Sequence, residues 1–154
     1  MSRRGLGRTV TMSAAAMSGA PLPLNDEVRA RLSRQRTSDT GPEMLLRRAL
    51  HAAGVRYRVH RRDLPGSPDI VLARLRLAVF VDGCFWHCCP DHGNLPKNNR
   101  EWWATKLARN VARDREQDAA LGSLGWDVMR VWEHESVEER ASIIVERWLA
   151  PRPV

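Results

Sequence analysis

Cys84, Cys89 and His92 stand at the spacing Cys-x4-Cys-x2-His inside the run Phe80–His92, and all three cysteines of the chain fall within residues 84–89. Thiolates and imidazoles are the ligands a structural zinc ion takes, and its tetrahedral site needs four of them. His134, just past a later apolar segment, is the candidate for the fourth place. Cys88 competes with Cys89, and Asp91 with His92. Buried thiols beside a surface histidine, with no metal, are the plain alternative.

Acids and a further histidine accompany this cluster. Asp69 closes Leu64-Pro-Gly-Ser-Pro-Asp69 and opens the apolar run Ile70-Val-Leu-Ala73, while Asp82 ends another apolar run. Carboxylates at adjacent strand ends suit a hard divalent cation such as Mg2+, whose charge offsets that building on a phosphoryl group in hydrolysis. For Asp69 alone, a turn aspartate is the commoner role. Strand alternation decides whether Asp82 joins it or faces away. His87 brings an imidazole, the side chain suited to general-base work near neutral pH, although it stands between zinc-ligand candidates.

Composition narrows the class. A chain of 154 residues with 43% hydrophobic content and six tryptophans can bury one core, so a single domain is expected. The formal charge of +7 implies a polyanionic partner, nucleic acid before anionic membrane. No stretch is long and apolar enough to span a bilayer. Three closely spaced cysteines make no disulfide framework and favour a reducing compartment, hence the cytosol. Residues 1–24 carry no acid and three arginines and are read as a disordered basic leader, with Met12 and Met17 as alternative starts. The domain is expected over 25–150, with a tail at 151–154.

The elements that must position these groups follow from capping and periodicity. Residues 26–38 read as an Arg-rich arm or short helix. Thr40-Gly-Pro-Glu43 has the form of a capping box and opens a helix with Leu45, Leu46, Ala49, Leu50 and Ala53 on one face, ended by Gly54. Val55, Tyr57 and Val59 alternate as a strand, Asp69–Ala73 forms a second and Leu75–Val81 a third, uniformly apolar and central. Asn99 is expected to cap a long helix to about Leu121, with Trp103, Leu107 and Val111 inward. On it Lys106, Arg109 and Arg113 share another face, either solvated or set against phosphates. Trp126–Trp132 is the fourth strand. Ser136-Val-Glu-Glu139 caps a last helix that buries Ile143, Ile144 and Trp148. The order helix, three strands, helix, strand, helix implies an α/β or α+β sandwich around a mixed sheet.

Taken together, Asp39-Thr-Gly-Pro-Glu43, Tyr57-Arg-Val-His60, Leu64-Pro-Gly-Ser-Pro-Asp69, the Phe80–His92 segment, Asn99-Arg-Glu-Trp-Trp103, Asn110-Val-Ala-Arg-Asp114, Gly125-Trp-Asp-Val128 and Val131-Trp-Glu133 resemble, in order and spacing, the very short patch repair (Vsr) DNA mismatch endonucleases. The resemblance runs from about Arg34 to about Glu139. It implies a small restriction-endonuclease-like fold and a nick in one strand beside a T:G mismatch left by 5-methylcytosine deamination. In that family Asp69 and the Val81 carbonyl would hold Mg2+, and His87 would be the catalytic histidine with Asp114 as its supporting acid. Glu43 would assist metal-bound water, although its capping role explains it equally well. Phe85 and Trp86 would wedge into DNA near the mismatch, against the alternative of burial beneath the zinc site.

The chain also departs from that pattern. Better-known members have Thr at Val81, His at Asp82, and Cys in the zinc place of His134. They follow the first loop cysteine with His and Cys at spacings x4 and x1, where this chain offers Cys89 and then His92. The acid-x-Lys pair of restriction enzymes is missing. A same-fold nuclease with another DNA target, such as a restriction-system component, and a catalytically silent zinc module that only binds DNA are the rival readings. The implied partners are mismatched double-stranded DNA, mismatch-repair proteins and a cytosine-5 DNA methyltransferase system. The protein is expected to act as a nucleoid-associated monomer in the cytoplasm.

Overall fold

A computed structural model describes residues 38–151 of the chain. The leader at 1–24, the Arg-rich stretch 26–37 and residues 152–154 lie outside the described residues. Within them three helices and a four-stranded mixed sheet follow the expected order: α1 Gly41–Ala52, β1 Arg58–Val59, β2 Ile70–Leu72, β3 Leu77–Asp82, α2 Arg100–Ser123, β4 Asp127–Trp132 and α3 Val137–Leu149. The strands lie side by side as β1-β2-β3-β4, antiparallel across the first two pairings and parallel between β3 and β4.

Alternation along the strands divides the core. Ile70, Leu72, Leu77, Val79 and Val131 meet Leu46 and Leu50 of α1 and Ala141 and Ile144 of α3 on one face. Val71, Ala78 and Phe80 meet Leu121 of α2 on the other, with Trp126 and Val128 beside them. Central β3 is buried on both faces, which explains its uniformly apolar composition. The starts of α1 and α3 are fixed locally. Thr40 N–H donates to the Glu43 carboxylate at 3.3 Å, and Ser136 Oγ accepts from Glu139 N–H at 3.3 Å. Gly54, at φ 77°, ends α1 in the left-handed region that glycine supplies.

Several expectations need correction. Leu45 and Ile143 are exposed, because each sits one residue, about 100° of helix, from the buried Leu46 and Ile144. Ala53 is exposed as well. The strand expected over residues 55–59 shrinks to Arg58–Val59: Val55 drops into the core and Tyr57 turns its hydroxyl to donate to the Arg47 carbonyl at 3.0 Å. The second strand stops at Leu72, because Ala73–Leu75 forms a 3-10 turn that Arg76 closes with φ 48°, delaying β3 to Leu77. Asn99 precedes α2 with φ 54° and gives it no side-chain cap. Among the described residues no helix is long and apolar enough to cross a membrane.

Candidate active site and metal-ligand cluster

Where β2 begins and β3 ends, an open cleft of about 740 Å3 is lined by Asp69, Val81, Asp82, His87 and Asp114, with Asp39, His60, Arg62 and Arg113 among its other walls. Asp69 Oδ2 accepts the Val81 N–H at 2.7 Å, tying the carboxylate to the neighbouring strand. Burial pushes the Asp69 carboxyl up to about 6. The Val81 hydrogen bond opposes that rise, and nearby Glu43 and Asp82 add to it. A carboxylate set among other acids with one backbone donor is short of positive charge, and a hard cation is the natural complement.

His87 lines the same cleft as Asp69. Its Nδ1 lies 2.6 Å from Asp114 Oδ2, a pairing that orients the ring and leaves Nε2 without a hydrogen-bond partner among the described residues. The same Nδ1 is 3.7 Å from Asp82 Oδ1. Asp82 itself is 4% exposed, and both of its oxygens accept from Arg130 Nη1, at 2.9 and 3.2 Å. The Asp82 carboxylate expected beside Asp69 thus lines the same cleft but is engaged by Arg130. Alternation along β3 puts Asp82 on the α2 face, opposite Val81, where Arg130 engages it. Arg130 also donates to Asp118 and to the Asp114 carbonyl at 3.3 Å, and its guanidinium lies over the Phe80 ring. Burial alone would lower its pKa, but the bonds to Asp118 and Asp82 outweigh that and hold it more firmly protonated.

Glu43 keeps its capping role and is only 1% exposed, next to the cleft but not among the residues that line it. Its other oxygen pairs with Arg47, one turn on along α1. Arg47 Nη1 donates to Asp39 Oδ1 at 2.6 Å, and Nη2 lies 3.1 Å from His60 Nε2 and 3.4 Å from the Asp69 carbonyl. The Arg47 bond first, and His60 second, hold the exposed Asp39 carboxyl below its usual range.

The thiol and imidazole cluster assembles from two chain segments. Register places Asp82 opposite Trp132, so Cys84 and His134 each follow a paired position by two residues. Cys84 Sγ lies 3.1 Å from His134 Nδ1, Cys89 Sγ 3.7 Å from the same nitrogen and 3.9 Å from His92 Nδ1. One ligand atom each from Cys84, Cys89, His92 and His134 falls within 4.8 Å of all the others. Tetrahedral zinc with ordinary bond lengths needs ligand atoms about 3.5 Å apart, so these donors fit. Asp91 lies 3.7 Å from His134 Nε2, the nitrogen away from the thiols, in the position of an orienting partner. Cys88 is exposed at φ 53° and outside the group. Burial, with Cys89 and then Glu133 alongside, pushes the Cys84 thiol up to about 11, so this thiol needs a cation to ionise at neutral pH.

The loop that carries Cys84 and His87 and the start of α2 share an aromatic cluster. Phe85 meets Trp86 and Trp103 edge-on at 5.0 and 5.4 Å, and Trp102 meets Trp103 at 4.9 Å. All four are half-buried. Asn110 Nδ2 donates to the Trp86 carbonyl at 3.2 Å, fastening the loop to α2. Lys106 lies over Trp102, Arg109 is exposed and Arg113 lines the cleft, so this face of α2 runs from the aromatics to the acids.

Arg47, Arg130, Asp118 and His60 are site residues that reading the sequence did not single out. Local signals existed for two of them: Arg47 follows Glu43 by one helical turn, and Arg130 puts a charge on a strand face that otherwise carries Val128 and Trp132.

Residues 25–91 match the family described as DNA mismatch endonuclease Vsr. The chain is 43% identical over 145 residues to the type II nicking enzyme V.NaeI of Lentzea aerocolonigenes, spanning 90% of this chain and 87% of that one. Its identity to the type II nicking enzyme V.XorIIP of Xanthomonas oryzae pv. oryzae is 46% over 117 residues, 73% and 84% of the two chains. The DNA mismatch endonuclease Vsr of Escherichia coli K12 is 36% identical over 122 residues, covering 73% and 77%.

Proposed function

The chain belongs to the Vsr family of DNA endonucleases, and on that premise we propose that it nicks one strand of double-stranded DNA beside a T:G mismatch, the product of 5-methylcytosine deamination. The observation that carries this reading is a single cleft shared by a cation-seeking carboxylate, Asp69, and a histidine oriented by an acid, His87 with Asp114.

Asp69 and the Val81 carbonyl are the groups that would hold Mg2+, which when bound supplies positive charge against the negative charge growing on the phosphate and the leaving oxygen. His87 takes the proton of the attacking water at Nε2, because Asp114 engages Nδ1 and keeps the ring from turning. Arg130, bound to Asp82, Asp118 and the Asp114 carbonyl, serves to fix the acids around that histidine. Arg62 and Arg113 line the cleft and are exposed, placed to grip phosphates on either side of the cut; Lys106 and Arg109 extend the grip along α2. Phe85 and Trp86, backed by Trp103, wedge into the duplex where a mismatched step unstacks at least cost. Cys84, Cys89, His92 and His134 would hold a structural Zn2+ that closes the loop bearing His87 and the two aromatics.

On this reading the enzyme works as a cytoplasmic, nucleoid-associated monomer alongside mismatch-repair proteins and a cytosine-5 DNA methyltransferase. A second reading, a nicking enzyme with a different DNA target, is favoured by the two relatives above 40% identity, both called type II nicking enzymes. The chemistry is common to both. A catalytically silent DNA-binding module is set aside by family membership.

Incubation of the full-length protein with Mg2+ and end-labelled duplexes carrying T:G, C:G or unmethylated sites in varied sequence contexts separates the two readings. Nicks confined to the T strand of T:G duplexes support mismatch repair. Equal nicking of paired C:G duplexes would refute it and leave the second reading.

A further inference from the structure

Asp39, Glu43 and His60 offer two carboxylates and an imidazole whose ligand atoms all lie within 4.8 Å of one another. Such a set suits a divalent transition metal. It is already occupied by a side chain. Arg47 Nη1 bonds Asp39 at 2.6 Å, and Nη2 pairs with Glu43 and lies 3.1 Å from His60.

The arginine is built into this place. It is 8% exposed, its carbonyl is held by the Tyr57 hydroxyl at 3.0 Å, and its Nε is buried with no hydrogen-bond partner. A buried orphan donor costs stability, so the head group is placed for its anions at the expense of its own full satisfaction. The same Nη2 approaches the Asp69 carbonyl at 3.4 Å, which joins the trio to the residue assigned to Mg2+.

We propose that Arg47 is a positioning residue whose guanidinium fills a cation site built by Asp39, Glu43 and His60, and so directs the divalent cation to Asp69. This rests on the assignment of Asp69 under the nuclease reading. Without the guanidinium, two negative charges beside Asp69 would hold a second divalent cation, whose repulsion would weaken binding at Asp69. With it, the trio carries a fixed positive charge that neither exchanges with solvent nor requires metal.

The test counts Mn2+ bound to the full-length, DNA-free protein by electron paramagnetic resonance, with circular dichroism to verify folding. Arg47→Met keeps the length and apolar stem of the side chain and removes its charge. It is expected to bind one more Mn2+ per chain than the wild type. The additional ion should vanish when His60→Ala is added and persist when Asp69→Asn is added. On a substrate duplex the same variant should need about tenfold more Mg2+ for half-maximal nicking. A folded Arg47→Met protein that binds no additional ion overturns the proposal. If that variant fails to fold, His60→Ala in the wild-type background decides: an unchanged Mn2+ count supports the proposal, and loss of an ion overturns it, since the trio would then hold metal despite Arg47. Absence of wild-type nicking on every duplex would sink the nuclease reading and leave the ion count to judge this one.

Discussion

Arg47 and Arg130 flank the same cleft, each gathering acids and standing near one histidine, yet the two assemblies differ in how completely they are closed. Around Arg130 every nitrogen of the guanidinium donates, to Asp82, Asp118 or the Asp114 carbonyl, and the adjacent His87 is fixed through Asp114. Around Arg47 one nitrogen is left without a partner, and both Asp39 and His60 have solvent-facing surface. Closed networks hold a reacting group in one orientation, whereas open ones set charge without fixing geometry. On the proposed reading, proton transfer therefore belongs to the α2 side, and the charge balance around Asp69 to the α1 side.

Matched substitutions at the two histidines give the largest expected contrast. His87→Ala should lower kcat about 10^2- to 10^4-fold with DNA affinity retained, the range general-base removal typically shows, and His60→Ala should lower it about tenfold at most. Single-turnover nicking at saturating DNA measures both, and equal losses would erase the distinction between the sides.

Next in size is Arg130→Met, which strands the buried Asp82 carboxylate and should cost about 3–5 kcal/mol in urea unfolding. Adding Asp82→Asn should recover part of that loss. A cost below about 1 kcal/mol would mean the network is not closed in solution.

Asp69 sets a smaller and oppositely signed expectation. Its folded pKa of about 6 exceeds the ordinary value of 3.8, so its stability contribution is fully present below about pH 4 and is lost as pH rises through 6. Asp69→Asn should therefore abolish nicking while stabilising the cation-free fold by about 1–2 kcal/mol at pH 7.5, an advantage that disappears near pH 4. Unfolding curves at the two pH values check the sign; a destabilised variant at pH 7.5 would contradict the burial argument.

The least effect is expected for Asp82→Asn on metal dependence. Since Arg130 engages the Asp82 carboxylate, the Mg2+ midpoint for nicking should match the wild type. A marked rightward shift would return Asp82 to the cation.

The thiol and imidazole cluster was readable from the chain because its residue types are rare and three of the four crowd into one loop. His134 needed only the guess that strands three and four are neighbours. His87 and Asp114 came from matched strings, and both helix caps from a four-residue pattern. What escaped was the compensation of charge. Arg47 and Arg130 have long side chains whose burial depends on partners from other segments, Asp39 and His60 for one, Asp82 and Asp118 for the other. The local signals, Glu43 one turn before Arg47 and the apolar neighbours of Arg130 on its strand face, name neither set of distant partners. Leu45 and Ile143 were misplaced for a simpler reason, since one residue of helical phase separates the core from solvent.

Pairing β3 with β4 in parallel closes a loop across the whole of α2 before the first ladder bond forms, and such long-range closure is the slow kind of folding event. A slip of one residue would exchange the faces of β4, turning Arg130 into the apolar layer and Val131 out of it. Cys84 and His134 stand at equal offsets beyond the pair Asp82 and Trp132, so their side chains meet only in the native register. A metal ion first caught by the loop ligands would be able to recruit His134 from correctly aligned strands and not from slipped ones. A zinc ion held there would thereby check the strand alignment during folding.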